Sequence, residues 1–426
     1  MRGAVVHRSR LPVAIMVAVV AAGTATLILR PGGGLIEPTA VKPEAYFSPA
    51  QLERADKFRD PQRLIVLAGI ALSGATLGLI ALRPPRRVRR LLERAGGHPV
   101  RGAALVGAGI SVVVAVVGLP LAAWAHERAV DAGLSTQSLG PWLSDVAKAT
   151  AIEAGFAALG GVLALALIRR FPRRWWLPAA GLVVAFTVLT LYLSPVVIDP
   201  VFNKFEPLPA GKLRTDVLEL SRRAGVDVGE VYRVDASRRT TAINAYVGGL
   251  GHTKRVVLYD NLIEDFPPDQ VRSVVAHELG HVKHSDVPRG ILWIAIVAPA
   301  GTLLLQRLTE RFTAIGGLDR GDERGGDARP GPAVIPAVAL ALALVSFGLT
   351  CASNVLSRQV EARADAFALE TTRDPSAFIA LERSLAIRNL SQPDPPKLWH
   401  LLFGTHPTTI ERIGYGKTYA PKAGAR

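Results

Sequence analysis

The sequence contains a single cysteine, Cys351, among 426 residues, and this residue lies inside an apolar run. A disulfide within the chain is therefore impossible, and a cysteine-rich metal site is excluded. Charge is also sparse, because only 20% of the residues are charged while 49% are hydrophobic, and the mean hydropathy is positive at +0.28. This composition argues against an ordinary soluble protein and favours a polytopic membrane protein with a soluble portion.

The net charge of +15 comes largely from short arginine clusters beside apolar runs, as in RPPRRVRRLLER and RRFPRR. Arginine at the ends of apolar runs is typical of membrane topology signals and of contacts with lipid headgroups. A nucleic-acid-binding protein would instead group its basic residues on one soluble face. We therefore expect membrane lipids, and no nucleic acid, among the partners.

Seven apolar runs have roughly the 20 residues needed to cross a bilayer. The first could be a cleaved signal peptide, but no clean small-x-small cleavage site follows it, so we interpret it as a retained span. The sixth is short and contains Pro299, which leaves its ends poorly defined. The predicted spans are Leu11–Leu29, Leu64–Leu82, Ala103–Ala125, Ala149–Ile168, Trp175–Ile198, Ile291–Leu305 and Ala333–Ala352.

The spans divide the chain into four parts. Residues 1–198 form an amino-terminal membrane region with five spans, and residues 290–352 form a two-span hairpin. Residues 199–289 and 353–426 are predicted to be two portions of one soluble domain. In the first portion VYRVD, NAYVGGL and RVVLYD are short β-branched and aromatic runs, which predict a small sheet.

The stretch SVVAHELGHVKHSD, residues 273–286, contains two histidines four residues apart. On a helix His277 and His281 lie on one face, where both imidazoles can bind the same zinc ion. A catalytic zinc site keeps one position open for water, and Glu278 projects beside it as a candidate general base. A helix with a few polar residues gives the same pattern by accident, so the site depends on a third ligand.

Two candidates for the third ligand follow the motif. His284 comes three residues after His281, but the metzincin pattern requires a glycine and a histidine further on, which favours a solvated histidine. The segment SRQVEARADAFALE places Glu361 and Asp365 four residues apart on a predicted helix. One carboxylate can bind zinc while the other orients a ligand histidine. The alternative is a surface helix with ordinary charge pairs.

The order of the spans decides between these alternatives. The histidine helix ends just before span six, and the Glu361 helix begins just after span seven. Two antiparallel spans return the chain to the face that it left, so Glu361 reaches the membrane surface that carries His277 and His281. We therefore predict that these three residues bind one Zn²⁺ per chain.

The motifs resemble the type I CaaX prenyl protease family of membrane gluzincins, and the residue usage indicates a bacterial member. The resemblance rests on NAYVGGLGHTKRVVLYDNLI, HELGH, SRQVEARADAFA and THPTTIERI, in this order after five spans. It is strong over residues 194–413, whereas the first five spans agree in number and placement rather than in motif. Seven spans favour this branch over the related bacterial heat-shock membrane protease, which has fewer.

The resemblance implies a mainly α-helical polytopic membrane protein, with seven transmembrane helices around a chamber and a small α+β zinc metalloprotease domain closing one end. It also implies roles for further residues. His406, otherwise a loop histidine, donates to the developing oxyanion. Asn244, otherwise a turn residue, begins a strand that aligns the substrate backbone. The resemblance also implies that His277, His281 and Glu361 are the zinc ligands and that Glu278 is the general base. Asp365 is implied to orient one of the ligand histidines.

The predicted function is therefore zinc-dependent hydrolysis of peptide bonds in membrane-associated or lipid-linked peptides. A site-2-type intramembrane protease carries its histidine motif inside a span, whereas residues 265–286 are too polar for hydrocarbon. A transporter or lipid-binding chamber with an incidental motif is the non-catalytic alternative. The intact Glu278 argues against it, because a structural zinc site needs no base.

Two arguments disagree on the side of the cell membrane that carries the site. With seven spans, the amino terminus and the soluble domain lie on opposite faces. The short segments on the amino-terminal face contain 19 Lys and Arg residues, against 8 in the short loops on the other face. The positive-inside rule therefore places the site outside the cytoplasm, whereas the resemblance implies access from the cytosol. We adopt the charge count because it is read directly from this chain.

Overall fold

A computed structural model of the protein describes residues 10–248, 254–318 and 330–424. Residues 249–253 of the NAYVGGLGHTKRVV motif lie outside the described residues. The same holds for the arginines at positions 2, 8, 320, 324 and 329, which entered the charge count.

Seven helices in the described part of the chain have the length and apolar composition needed to cross a membrane, which confirms the predicted fold class. Most extend beyond the predicted runs, because polar turns continue each helix past its apolar section. The amino-terminal region consists of α1 (Arg10–Leu29), α2 (Pro49–Leu82), α3 (Arg86–Ala95), α4 (Pro99–Asp131), α5 (Leu139–Arg170), α6 (Trp176–Leu193) and, after a π-helical turn over Ser194–Ile198, α7 (Asp199–Phe202).

Small residues allow α4 and α5 to pack closely. A Cβ atom on Gly107 would lie 2.2 Å from the carbonyl oxygen of Ala157, and one on Gly161 would lie 2.6 Å from that of Ala103. Only hydrogen fits at either position. Close contact between backbones is a usual way for spanning helices to associate, since lipid supplies no hydrophobic driving force between them.

The predicted soluble domain contains a four-stranded sheet made of β1 (Phe205–Pro207), β2 (Glu230–Val234), β3 (Ala245–Gly248) and β4 (Arg255–Tyr259). The strand order across the sheet is β1-β2-β4-β3. Strands β2 and β4 are parallel, and the two outer pairs are antiparallel. The three runs predicted to be strands form β2, β3 and β4, whereas β1 was not predicted. The helices of this part are α8 (Lys212–Arg223), between β1 and β2, and α9 (Asp260–Asp265) and α10 (Pro268–Lys283), which follow β4.

The carboxy-terminal part of the chain crosses the membrane twice more, through two long helices, and then continues in three shorter helices. Helix α11 (Asp286–Gly316) begins after Ser285, whose left-handed backbone (φ 54°) turns the chain sharply away from α10. Helix α12 (Ile335–Thr372) is continuous over 38 residues, so span seven and the predicted Glu361 helix are one element. This helix crosses the boundary drawn at residue 352. It is followed by α13 (Pro375–Arg388), α14 (Lys397–Phe403) and α15 (Thr409–Gly424).

Candidate metal centre

Helix α10 packs between the sheet and α12. Its residues Val271, Val275 and Leu279 are buried in a core shared with the strands and with Leu369 of α12. A Cβ atom on Gly280 would meet α12 at 3.2–3.3 Å, so this glycine allows the two helices to approach closely. The histidines of α10 are thereby held against the polar residues of α12.

The three predicted ligands converge at this contact. Nε2 of His277 lies 3.2 Å from Nε2 of His281 and 3.1 Å from Oε2 of Glu361. Nε2 of His281 lies 3.6 Å from the same carboxylate oxygen. Among the described residues, His277, His281 and Glu361 form the cluster whose donor atoms could hold one metal ion.

These separations fit zinc. Tetrahedral zinc with bonds of about 2.0–2.1 Å places its ligand atoms roughly 3.3 Å apart, close to the three distances found here. Two imidazoles and one carboxylate also leave a fourth position for water, as in catalytic rather than structural sites. The donor set therefore fits a single zinc ion.

In each histidine the ring nitrogen that does not face the cluster contacts a carboxylate. Nδ1 of His277 lies 2.8 Å from Oδ1 of Asp365, and Nδ1 of His281 lies 3.0 Å from Oδ2 of Asp286. A carboxylate at Nδ1 keeps the proton on that nitrogen, so the lone pair of Nε2 faces the cluster. Asp365 therefore contacts the outer nitrogen of His277 and Asp286 that of His281, and sequence reasoning did not identify Asp286.

The surroundings of the histidines are strongly anionic. Burial disfavours the charged form of His277, but hydrogen bonds with Asp365 and Glu361 outweigh this and raise its pKa to about 10. In the same way, Asp286 and Glu361 outweigh the burial of His281 and raise its pKa to about 9. A site that stabilises positive charge to this degree is suited to a cation.

Three other predicted residues lie at or near this cluster. Glu278 follows His277 on α10, is partly buried, and has a pKa raised above its usual value by that burial. Nε2 of His406 lies 3.2 Å from Oε2 of Glu361, while its Nδ1 lies 2.9 Å from the hydroxyl of Thr405. His284 packs edge-on against Phe367, and it is not part of the cluster of three donors among the described residues.

Asn244 lies immediately before β3 and is exposed. Its carbonyl oxygen accepts a hydrogen bond from the backbone N–H of Tyr259 on β4. Strand β3 is the last strand of the sheet, paired on one side with β4. A strand in this position offers backbone groups to an added peptide strand.

Two further residues at the centre were also missed by sequence reasoning. Arg412 forms a two-nitrogen contact with Asp365, and its Nη1 forms an ion pair with Oε2 of Glu382 at 2.8 Å. Glu382 and Asp365 are almost completely buried, and the guanidinium of Arg412 lies between them as the ion-pair partner of both. The sequence contains only weak indications of these two residues. Arg412 falls six residues after His406, and Glu382 interrupts the apolar face of α13.

The structure combines seven spanning helices, a small sheet domain and a candidate three-ligand metal centre next to Glu278. This combination defines the class of polytopic membrane metallopeptidases. Comparison with known families agrees. Residues 47–204 match the CAAX prenyl protease N-terminal family, described by five membrane helices, and residues 207–415 match peptidase family M48. The chain belongs to peptidase family M48, and it is an integral-membrane metalloprotease that resembles the CAAX prenyl proteases.

Individual relatives show how far the similarity extends. An uncharacterized metalloprotease of Bacillus subtilis, YhfN, is 29% identical over 385 residues, which is 90% of this chain and 89% of that protein. CAAX prenyl protease 1 of Saccharomyces cerevisiae is 28% identical over 71% of this chain and 69% of its own length. The CAAX prenyl protease 1 homolog of Arabidopsis thaliana is 33% identical, over 54% of this chain and 53% of its own length.

The fold is also found in a solved structure. The crystal structure of Ste24p from S. mikatae superposes with a TM-score of 0.69 and covers 96% of both chains at 20% sequence identity. This confirms the arrangement of a helical membrane region with a peptidase domain. The relatives and the fold together disfavour a transporter or a non-catalytic chamber.

Proposed function

We propose that this protein is a zinc-dependent endopeptidase of the cell membrane that hydrolyses membrane-associated or lipid-linked peptides. The observation that carries the proposal is the convergence of His277, His281 and Glu361 at separations suited to one zinc ion per chain. The motif helix α10 has 16 residues and is not among the candidate spanning helices, which supports this proposal over a site-2-type protease.

Zinc bound there would polarise the scissile carbonyl group and make an adjacent water molecule more acidic. Glu278 accepts the proton of the attacking water and passes it to the departing amine. His406, next to Glu361, donates a hydrogen bond to the oxygen of the carbonyl as negative charge develops on it. Asp365 and Asp286 hold the two histidines in the tautomer that leaves Nε2 free.

The peptide is held by backbone pairing. We propose that Asn244 and the outer edge of β3 receive the substrate as an added strand, which fixes the scissile bond relative to α10. The catalytic face is assigned to the outside of the cytoplasm on the charge count. The exposed arginines of α3 on the opposite face, such as Arg86, Arg87 and Arg90, support this assignment.

The decisive experiment compares two variants of the purified full chain. Glu278→Gln keeps all three ligands, so it should retain one zinc per chain while losing nearly all hydrolysis of a peptide substrate. Glu361→Ala removes a ligand and should lose zinc under mild chelation as well as activity. Glu370→Gln, at an exposed position of α12, is the matched control. Near-normal hydrolysis by Glu278→Gln, or full zinc in Glu361→Ala, would reject the proposal.

A further inference from the structure

A cavity of about 510 Å³ lies among the spanning helices, between α6, α11 and α12. Its volume is within the range of small-molecule sites, roughly 300–1,000 Å³. It is adjacent to the metal centre, since Asp286, which contacts His281, is one of its lining residues. The proposed chemistry does not use this space.

The walls of the cavity are suited to hydrocarbon. Several of the polar groups along them already have partners: the hydroxyls of Thr187 and Ser353 donate to carbonyl oxygens of their own helices, each at 2.9 Å. The indole N–H of Trp293 donates to the hydroxyl of Thr26 at 3.0 Å. The apolar part of the wall consists of Val183, Ile294, Val297, Leu349 and Leu356.

Arg289 is the positively charged side chain among these lining residues. It lies in the first turn of α11, and its Nη1 donates to Oδ1 of Asp286 at 2.7 Å. Among the described residues its side chain makes no other hydrogen bond, so Nε–H and Nη2–H remain available on the side of the guanidinium that binds carboxylates with two parallel bonds. The side chain is 26% exposed, and it faces the cavity.

The charge of Arg289 is not neutralised by its partner. Asp286 also pairs with Arg363, so one carboxylate serves two guanidinium groups. The group of three therefore has a formal charge of +1. An unpaired cation beside an apolar cavity in a membrane protein raises the free energy of the fold. An anion that accepts its free N–H groups removes this cost.

We propose that this cavity binds a long-chain carboxylate, with the carboxylate on Nε and Nη2 of Arg289 and the hydrocarbon chain against the walls formed by α6, α11 and α12. A fatty acid from the bilayer has this chemistry. The site is separate from the proposed zinc ligands and does not depend on peptide hydrolysis.

The test measures binding of oleate to the purified full chain in a non-ionic detergent, beside oleyl alcohol and oleylamine. Because charge-assisted hydrogen bonds are strong, oleate should bind about 10- to 100-fold more tightly than the alcohol, and the amine should bind no better than the alcohol. Arg289→Gln should abolish the preference for oleate while leaving the affinity for oleyl alcohol unchanged. Equal affinity of the wild type for oleate and the alcohol would overturn the proposal.

Arg307→Gln is the matched control for charge. Arg307 lies on the same helix, pairs with Glu310 three residues on at 2.9 Å and is 20% exposed, but it does not line the cavity. Its replacement should leave oleate binding unchanged. Loss of the preference in this variant, or its persistence in Arg289→Gln, would contradict the assignment.

A steric variant tests the position of the hydrocarbon chain. Gly290 lines the cavity, and a Cβ atom there would meet no atom within 4 Å, so Gly290→Phe should fill the space without disturbing the fold. It should abolish binding of both oleate and the alcohol. Gly348→Phe, at an equally open glycine outside the lining, should bind both normally. Glu278→Gln should also retain oleate binding, so failure of the peptidase proposal and failure of this one are distinguishable.

Discussion

Asp286 lies only five residues after His281, yet it begins a different helix and points its carboxylate back at that histidine, with Oδ2 3.0 Å from Nδ1. The left-handed residue Ser285 makes this reversal possible. Asp365 supports His277 in the same way from α12, at 2.8 Å. The two supports therefore come from helices that continue into the membrane.

Removing either support should weaken zinc binding without abolishing it. Asp286→Asn and Asp365→Asn should each lower zinc affinity by about 10- to 100-fold, because the tautomer and orientation of the histidine are no longer held. Competition with a chromogenic chelator measures this directly. Asp269→Asn, at an exposed position of the same α10 helix, should bind zinc normally. Unchanged zinc affinity in both variants would show that these carboxylates do not contribute to metal binding.

His406→Ala should separate catalysis from metal binding. Its zinc content should remain one per chain, while kcat/KM should fall by about 10²-fold or more, as for the loss of an oxyanion donor. Metal analysis and peptide hydrolysis on the same preparation provide both values. His98→Ala, on the opposite face of the membrane, is the control. Normal kinetics in His406→Ala would remove this residue from the mechanism.

Glu382 should make stability depend on pH. Burial raises its pKa to about 7, although Arg412 beside it acts in the opposite direction. Between its ordinary value of 4.5 and about 7, the folded protein holds a proton that the unfolded chain has released, so this group's contribution to stability falls as pH rises through that window. The Tm of Glu382→Gln, relative to wild type, should therefore be higher at pH 8 than at pH 5. A difference in Tm that is independent of pH would contradict this.

Labelling in intact cells should settle the orientation. In a Cys351→Ser background, Gly97→Cys on the amino-terminal face should be shielded from a membrane-impermeant thiol reagent, because the charge count places that face in the cytoplasm. Gly211→Cys on the catalytic face should be labelled. Both glycines are exposed and accept a Cβ atom without close contacts. The reverse pattern would place the metal centre in the cytosol.

The sequence was sufficient to predict that His277, His281 and Glu361 come together. The two histidines follow from helical spacing, and Glu361 follows from the return of the chain across the membrane; the chemical roles of these residues and of Glu278 stay predictions. The fold class follows from seven apolar runs, since length and hydropathy alone define a span.

Contacts between distant elements were beyond sequence reasoning. Arg412 reaches Asp365 and Glu382 from a third helix, and such a meeting depends on packing angles that no periodicity encodes. Asp286 was overlooked although it is the last residue of the segment 273–286, because straight continuation of α10 would carry its side chain away from His281. The turn at Ser285 overrides that expectation.

The continuity of α12 joins the metal centre mechanically to the bilayer. From Ile335 to Glu361 the helix is a single rod of about 39 Å at 1.5 Å per residue. Spanning helices change tilt as membranes thicken or thin, and a tilt of about 5° would displace the far end of such a rod by about 3 Å. Metal coordination tolerates only about 0.2 Å. The close contact of α12 with Gly280 fixes α10 and α12 to each other, so His277, His281 and Glu361 would move together when a change in lipid thickness alters the tilt.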